Sequence, residues 1–228
     1  MNKLICFAHR GAMGYEPENT LLAVEKAIQL GTDWIEVDVF VVEEELVVIH
    51  DDRLERTTNG SGYVMEKSLA YLRSLDAGKG QQIPFLREVF EVVGEKAGIN
   101  VELKGPGAAQ AASRLIEEYI RDYGRYPDQF LVSSYNHPEL YKFHQLQPTI
   151  RIGALTMAIP LHYAKFAEEL NAYSVHAGIE FINSDFVQDA HRRRMKMFIY
   201  TVNHQEALAR MRQIGVDGIF TDYPGRDE

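Results

Sequence analysis

Short runs of β-branched and aromatic residues alternate with longer helical patterns along almost the whole chain. This alternation is typical of parallel strands joined by crossover helices, because two neighbouring parallel strands need a long connection. The predicted strands are 4–8, 34–42, 99–103, 130–134, 151–155, 173–176, 198–202 and 218–221. Eight such strands in a chain of 228 residues match the pattern and the size of an α/β protein of the (β/α)8, or TIM-barrel, fold.

Helical stretches separate these strands. The first begins after the cap candidates Asn19 and Thr20 and ends at Gly31, and a second ends at Gly124. Further helices are predicted over 85–96, 138–146, 161–171, 185–196 and 204–214. The length allows one large domain or two small ones. Because no linker or low-complexity run interrupts the pattern, we predict a single domain over residues 1–228.

The run 46–50 breaks the alternation, because only a few residues separate it from the second strand. We interpret it as the return arm of an antiparallel hairpin centred on Glu44, which places His50 opposite Asp38. Glutamate rarely adopts a positive φ, so the three consecutive glutamates here predict a longer or bulged loop. The first part of the long connection 51–98 is predicted to form a small capping insertion over the barrel mouth.

The charge balance and the N-terminus disfavour several classes of partner. A formal net charge of −9 is unfavourable for a nucleic-acid-binding or anionic-membrane surface. With one cysteine, Cys6, the chain has no internal disulfide, which fits a reducing compartment. The first residues contain too short an apolar core for a secretory signal, and no later run approaches a membrane-spanning length. We expect a cytoplasmic protein with no nucleic-acid partner and no stable membrane insertion.

Three carboxylates are predicted to face the barrel axis. Glu36 and Asp38 lie on one face of the second strand, and Glu102 lies on the third, near the carboxyl ends where barrel enzymes build their active sites. Buried like charges need a positive counterpart, and an all-oxygen set suits a hard cation such as Mg²⁺ or Ca²⁺. The alternative is a structural network in which these acids pair with Lys104, Arg10 or another cation.

Two histidines are predicted to flank the same position. His9 ends the first strand, and the hairpin brings His50 toward the acids. Because an unperturbed imidazole has a pKa of about 6.5, one ring can be neutral while the other is protonated, as acid–base catalysis requires. His176, at another strand end, also lies where it can approach this pocket.

The charges of the site indicate a class of ligand. A dication together with Arg10 and Lys104 exceeds the charge of the three carboxylates by one unit, so a monoanion fits. A phosphodiester is a monoanion whose cleavage needs neutralised phosphoryl oxygens and a proton for the leaving alcohol. The Arg10 guanidinium offers a bidentate fork for a phosphoryl group.

Seven blocks, in order from residue 8 to residue 225, resemble the glycerophosphodiester phosphodiesterase family. They are "HRG" with "PENT", "EVDV", "HDDRLERTTNGSG", "VELKG", "SSYNHPEL", "YTVN" and "GVDGIFTDYPG". The resemblance implies a TIM barrel and the metal-dependent hydrolysis of a small-molecule glycerophosphodiester to sn-glycerol 3-phosphate and an alcohol. It implies one divalent cation, with Mg²⁺, Ca²⁺ and Mn²⁺ all compatible.

The resemblance also implies roles for individual residues. These are an acid–base pair (His9, His50), metal ligands (Glu36, Asp38, Glu102), phosphoryl contacts (Arg10, Lys104) and supports of the first loop and the histidines (Glu18, Asn19). Tyr200 departs from the family pattern, which often has Trp there, and this changes a wall near the glycerol or alcohol site. The sequence leaves open the released alcohol, the attacking group (water or the glycerol hydroxyl), the role of each ring and the oligomeric state.

Two other functions fit part of the pattern. A sphingomyelinase D-like lipase shares related histidines and acids, but we find no amphipathic stretch that would meet a membrane. A non-catalytic phosphate-ester binding protein would keep the pocket, but binding alone requires no proton shuttle, and both histidines are present.

Overall fold

Parallel strands close into a barrel in the computed structural model, which describes residues 3–226. The strands are β1 (Ile5–Ala8), β2 (Trp34–Val42), β3 (Glu45–Val48), β4 (Gly98–Leu103), β5 (Phe130–Ser134), β6 (Arg151–Thr156), β7 (Ser174–Gly178), β8 (Lys196–Tyr200) and β9 (Gly218–Thr221). The helices are α1 (Leu21–Gln29), α2 (Leu69–Arg73), α3 (Leu86–Val93), α4 (Ala108–Asp122), α5 (His137–Leu146), α6 (Lys165–Glu168), α7 (Ser184–Arg192) and α8 (Gln205–Ile214). Short 3₁₀ turns occupy Val64–Glu66, Pro127–Gln129 and Ile179–Phe181.

The barrel closes because β1 pairs in parallel with both β2 and β9. The remaining neighbours come in the order β2, β4, β5, β6, β7, β8 and β9, so the predicted TIM barrel is confirmed. The eight predicted strands are present, with ends displaced by at most two residues, as in β8. None of the helices between residues 3 and 226 is long and apolar enough to cross a lipid bilayer.

The helix predicted over 161–171 is wrong in its length. Only α6, a single turn of four residues, forms there. Left-handed residues stand on either side of it, Tyr163 with a φ of 45° and Asn171 with a φ of 54°, and neither continues a right-handed helix.

The hairpin of β2 and β3 corrects two predictions. Val42 pairs with Glu45, so the connection is a tight turn of two residues, Glu43 and Glu44, with φ values of 48° and 70°. Two left-handed residues match the twist of a hairpin, and both side chains are exposed, where glutamate is tolerated. The centre therefore lies between these glutamates, and the main chain of Asp38 faces Ile49 (N to O, 3.0 Å) and not His50.

The capping insertion is confirmed and has a hydrophobic cluster of its own. It runs from the end of β3 to the start of α3 and contains α2. The cluster consists of Phe40, Val42, Val47, Ile49, Leu54, Val64, Leu72, Leu75, Ala77 and Ile83. Because four of these residues come from the hairpin or lie directly after it, β2 and β3 extend out of the barrel to support the cap.

Aromatic rings fill the barrel interior at mid-depth. Phe7 stacks on Phe220 with centroids 4.5 Å apart and contacts Phe198 at 4.8 Å. His176 lies 5.1 Å from the Phe220 ring, is fully buried, and has its Nε2 2.9 Å from the hydroxyl of Ser174. These rings form a floor inside the barrel.

Glycine at position 153 makes room for that floor. A Cβ atom at Gly153 would lie 2.3 Å from His176 Nε2 and 2.5 Å from its Cε1, so the buried ring would have to shift. We expect Gly153→Ala to lower the free energy of unfolding by about 1–3 kcal/mol, the usual cost of overpacking a core. Urea denaturation measures this, and the same substitution made together with His176→Ala should cost much less. An equal cost in both backgrounds would contradict the assignment.

Candidate active site

The three predicted acids meet at the carboxyl ends of two neighbouring strands. Asp38 on β2 is in register with Glu102 on β4, and Glu36 lies two residues earlier on β2. Their candidate ligand atoms all lie within 4.8 Å of one another. Each side chain is buried, with exposures of 1% to 8%.

Burial and mutual repulsion dominate the electrostatics of this cluster. Burial raises the pKa of Glu36 well above its usual range, and the charges of Asp38 and Glu102 raise it further. Burial and then the Asp38 charge raise the pKa of Glu102 to about 7. Lys104 lies 2.9 Å from Glu102 Oε1 and 3.6 Å from Asp38 Oδ1, and Arg10 Nε lies 3.6 Å from Asp38 Oδ2. These two cations compensate three carboxylates only in part.

One buried oxygen of the cluster has no partner among the described residues. Glu36 Oε2 accepts a hydrogen bond of 2.8 Å from the main-chain N–H of Arg10, whereas Glu36 Oε1 accepts none. An all-oxygen set with excess negative charge and an unsatisfied carboxylate oxygen fits a hard divalent cation. The structural network considered as an alternative is present, but among the described residues it leaves one oxygen of Glu36 without a hydrogen bond.

The loop after β1 supports this cluster from one side. Arg10 and Gly11 have φ values of 51° and 75°, and a Cβ at Gly11 would lie 2.7 Å from the main chain of Ala23. Asn19 donates from Nδ2 to Asp38 Oδ2 (2.9 Å) and accepts at Oδ1 from the Asp38 N–H (3.2 Å). Asn19 was predicted to support the first loop and the histidines, and in the structure its side chain supports Asp38.

Each candidate catalytic histidine has a carboxylate on Nδ1. His9 Nδ1 lies 2.7 Å from Asp222 Oδ1, and His50 Nδ1 lies 2.6 Å from Asp51 Oδ1. Both rings line the same cavity, and because Nδ1 of each is held by a carboxylate, Nε2 is the nitrogen through which either ring can act on a ligand. The two carboxylates therefore set the orientation of both imidazoles.

The His50 ring is neutral in this arrangement. Lys104 Nζ lies 3.3 Å from His50 Nε2, and an ammonium group can only donate, so this nitrogen carries a lone pair. Burial lowers the pKa of His50; the Asp38 charge opposes this shift, and the charges of Lys104 and Arg10 add to it.

Four supporting residues were missed by the sequence analysis. They are Asp51, Arg56, Asn203 and Asp222. Arg56 in the cap donates to Asp51 Oδ2 (2.5 Å) and to Glu18 Oε2 (2.6 Å), and Glu18 in turn accepts from Arg10 Nη1 (2.7 Å). Asn203 donates to Asp222 Oδ2 (2.6 Å). Through Arg56, Glu18 is connected to Asp51, the carboxylate that contacts His50.

The cavity has a charged half and an aromatic half. The charged half consists of His9, Arg10, Glu36, His50 and Glu102, and Tyr135, Leu155, Tyr200 and Phe220 line the other side. His176 reaches the bottom of this cavity, as its strand position predicted. Burial lowers the pKa of His176 to about 3, so the ring there is neutral.

Comparison with known proteins gives a consistent result. Residues 9–226 match the model of the glycerophosphoryl diester phosphodiesterase family. A glycerophosphodiester phosphodiesterase from Caldanaerobacter subterraneus is 36% identical, over 97% of this chain and 95% of that protein. One from Bacillus altitudinis is 35% identical, over 96% and 95%. The solved structure of an Oleispira antarctica phosphodiesterase with its product sn-glycerol-3-phosphate is similar, with a TM-score of 0.90, 32% identity, and coverage of 97% and 94%.

The raised pKa of Glu102 predicts how stability depends on pH without metal. The folded protein keeps a proton that the unfolded chain releases, so the free energy of unfolding falls as the pH rises from 4.5 to about 7. The part due to Glu102 amounts to at most about 3 kcal/mol.

Urea denaturation in EDTA at a series of pH values measures this fall, with Glu102→Gln as the matched variant. The lowered pKa of His50 contributes a slope of opposite sign in both proteins. The difference between them reports the Glu102 carboxyl together with the part of the raised Glu36 pKa that the Glu102 charge causes. Parallel pH profiles for the two proteins would contradict the prediction.

Proposed function

The chain belongs to the glycerophosphoryl diester phosphodiesterase family, and from this membership we propose that it hydrolyses glycerophosphodiesters to sn-glycerol 3-phosphate and an alcohol. The observation that carries the proposal is a pair of carboxylate-held imidazoles, His9 and His50, in one cavity with a buried acidic cluster. The substrate is a small molecule. We also propose that the protein is cytoplasmic and acts in lipid and glycerol metabolism.

Arg10 and Lys104 bind the phosphoryl group. Both side chains are mostly buried beside the acids. Arg10 forms an ion pair with Glu18, and Lys104 forms one with Glu102. Burial lowers the pKa of Lys104, but the charges of Glu102 and Asp38 outweigh it and the net shift is upward, so the ammonium stays charged near neutral pH. These cations neutralise phosphoryl oxygens as the substrate binds.

The histidines move the protons. One ring accepts a proton from the attacking hydroxyl at Nε2, and the other donates a proton from Nε2 to the departing alkoxide. Asp222 and Asp51 keep Nδ1 of each ring hydrogen-bonded, which fixes the tautomer that presents Nε2 to the substrate. Water and the glycerol hydroxyl both satisfy this scheme as the attacking group, and the second passes through a cyclic phosphate.

Glu36, Asp38 and Glu102 would hold one divalent cation, Mg²⁺, Ca²⁺ or Mn²⁺. When bound, such a cation stabilises negative charge on phosphoryl oxygens and lowers the pKa of a nearby hydroxyl. Asn19 keeps Asp38 oriented for this role through its two hydrogen bonds.

The proposed chemistry is tested by release of glycerol 3-phosphate from glycerophosphocholine. We expect EDTA to abolish product formation and a divalent cation to restore it. His9→Ala and His50→Ala should each lower kcat by at least about 10²-fold, the smaller effect expected for one acid–base group. His191→Ala is the matched control, because His191 is exposed and pairs with Asp217 at the opposite end of the barrel (2.8 Å). Full activity in EDTA, or in either cavity variant, would overturn the mechanism.

Arg56 links the cap to the site, so its removal should impair catalysis from outside the cavity. We expect Arg56→Ala to lower kcat/KM by about tenfold, because Asp51 and Glu18 lose the cation they share. Arg53→Ala is the control: Arg53 also lies in the cap and has a similar exposure (50% against 47%). Within residues 3–226 its partners are local, Glu55 and the Tyr63 ring. Equal losses in both variants would contradict the role of Arg56.

A further inference from the structure

Two tyrosines on non-adjacent strands meet across the aromatic half of the cavity. Tyr135 comes directly after β5 and Tyr200 ends β8, yet their hydroxyl groups are hydrogen-bonded to each other. The Tyr200 hydroxyl also donates to the main-chain oxygen of Thr156 at the end of β6 (2.7 Å). The pair therefore spans the mouth above β6 and β7.

These contacts fix the direction of both phenolic hydrogens. A main-chain carbonyl can only accept, so the Tyr200 hydrogen is committed to Thr156. In the bond between the two hydroxyls, Tyr135 must then be the donor. With its hydrogen committed, the Tyr135 oxygen can offer only a lone pair to any further group.

Tyr135 is placed to meet the outer part of a substrate. It lines the cavity, is 40% exposed, and has Lys104 Nζ 6.0 Å from its ring centroid. The acids that would hold the cation are buried deeper, with Glu102 at 8% exposure. We place the glycerol at the acids, where a bound cation would lower the pKa of its hydroxyl, and the phosphoryl group at Lys104. In this orientation the alcohol extends toward the exposed rim, where Tyr135 lies.

We propose that Tyr135 determines the preference for the leaving alcohol, by accepting a hydrogen bond from an N–H or O–H group of that alcohol. The assignment rests on the proposed function. It predicts that an alcohol with such a donor is favoured over one of equal charge without a donor.

Two substrates form the matched pair for this test. Glycerophosphoethanolamine and glycerophosphocholine carry the same charge, but only the first has N–H donors. We expect Tyr135→Phe to lower the ratio of their kcat/KM values, ethanolamine over choline, by about tenfold, because a hydrogen bond to a charged group is lost while the ring is kept. Hydrolysis of the choline ester should change less than about threefold, which also shows that the variant is folded. Tyr123→Phe, on an exposed tyrosine at the end of α4, should leave the ratio unchanged.

The remaining outcomes separate the two proposals. An unchanged ratio in Tyr135→Phe, or an equal loss for both esters, would overturn the assignment of Tyr135 while the proposed function stands. Failure of the wild-type protein to hydrolyse either ester with any divalent cation would overturn both.

Tyr200→Phe tests the direction of the hydrogens. Without the Tyr200 hydroxyl, the Tyr135 hydrogen is no longer committed, and the oxygen can donate as well as accept. The ratio should fall by less than in Tyr135→Phe. A ratio equal to that of the wild type would overturn the role assigned to the Tyr200 hydroxyl.

Discussion

Three carboxylates buried within 4.8 Å of one another are the constraint on which the rest of the site depends. Their repulsion costs folding free energy unless positive charge and hydrogen-bond donors surround them. Arg10, Lys104 and Asn19 supply part of this compensation, each from an element that also lines the cavity. The positive charge that is still missing makes the position suitable for a cation, and a bound dication would give the site the net positive charge that an anionic substrate requires.

A second layer of charge surrounds this cluster. The Arg56 guanidinium donates hydrogen bonds to both Asp51 and Glu18. Glu18 also accepts a hydrogen bond from Arg10. Burial raises the pKa of Glu18, but its hydrogen bonds and charge contacts with Arg56 and Arg10 outweigh this effect and the net shift is downward. The cap thus supplies a cation that holds two carboxylates beside the site, one after β3 and one in the loop after β1.

Strand alternation and the positions of strand ends could be predicted from the sequence, and most of the site depends on them. Asp38 and Glu102 share a layer because parallel strands keep a fixed register, and Glu36 lies on the same face of β2 two residues earlier. The same alternation applied from Phe220 leads to Asp222. His50 lies beyond the last paired residue of β3, so its approach to the acids depends on how the chain leaves that strand. A register error of one residue therefore did not change its placement near the site.

Other contacts have no local pattern in the sequence. Arg56 is 38 residues from Glu18, and their contact exists only because the cap folds on its own hydrophobic cluster. Tyr135 and Tyr200 lie 65 residues apart on strands that do not pair, so no register relates them. The tight turn at Glu43 and Glu44 was missed because hairpin twist outweighed the intrinsic preference of glutamate.

The floor of stacked rings has a consequence for molecular traffic. Phe7, Phe198, Phe220 and His176 block the barrel at mid-depth, so a molecule in the cavity can move only toward the mouth. Substrate entry and product release therefore use the same opening, the mouth of the barrel. A change at the rim that admits a larger molecule also shortens the time for which a small one is retained.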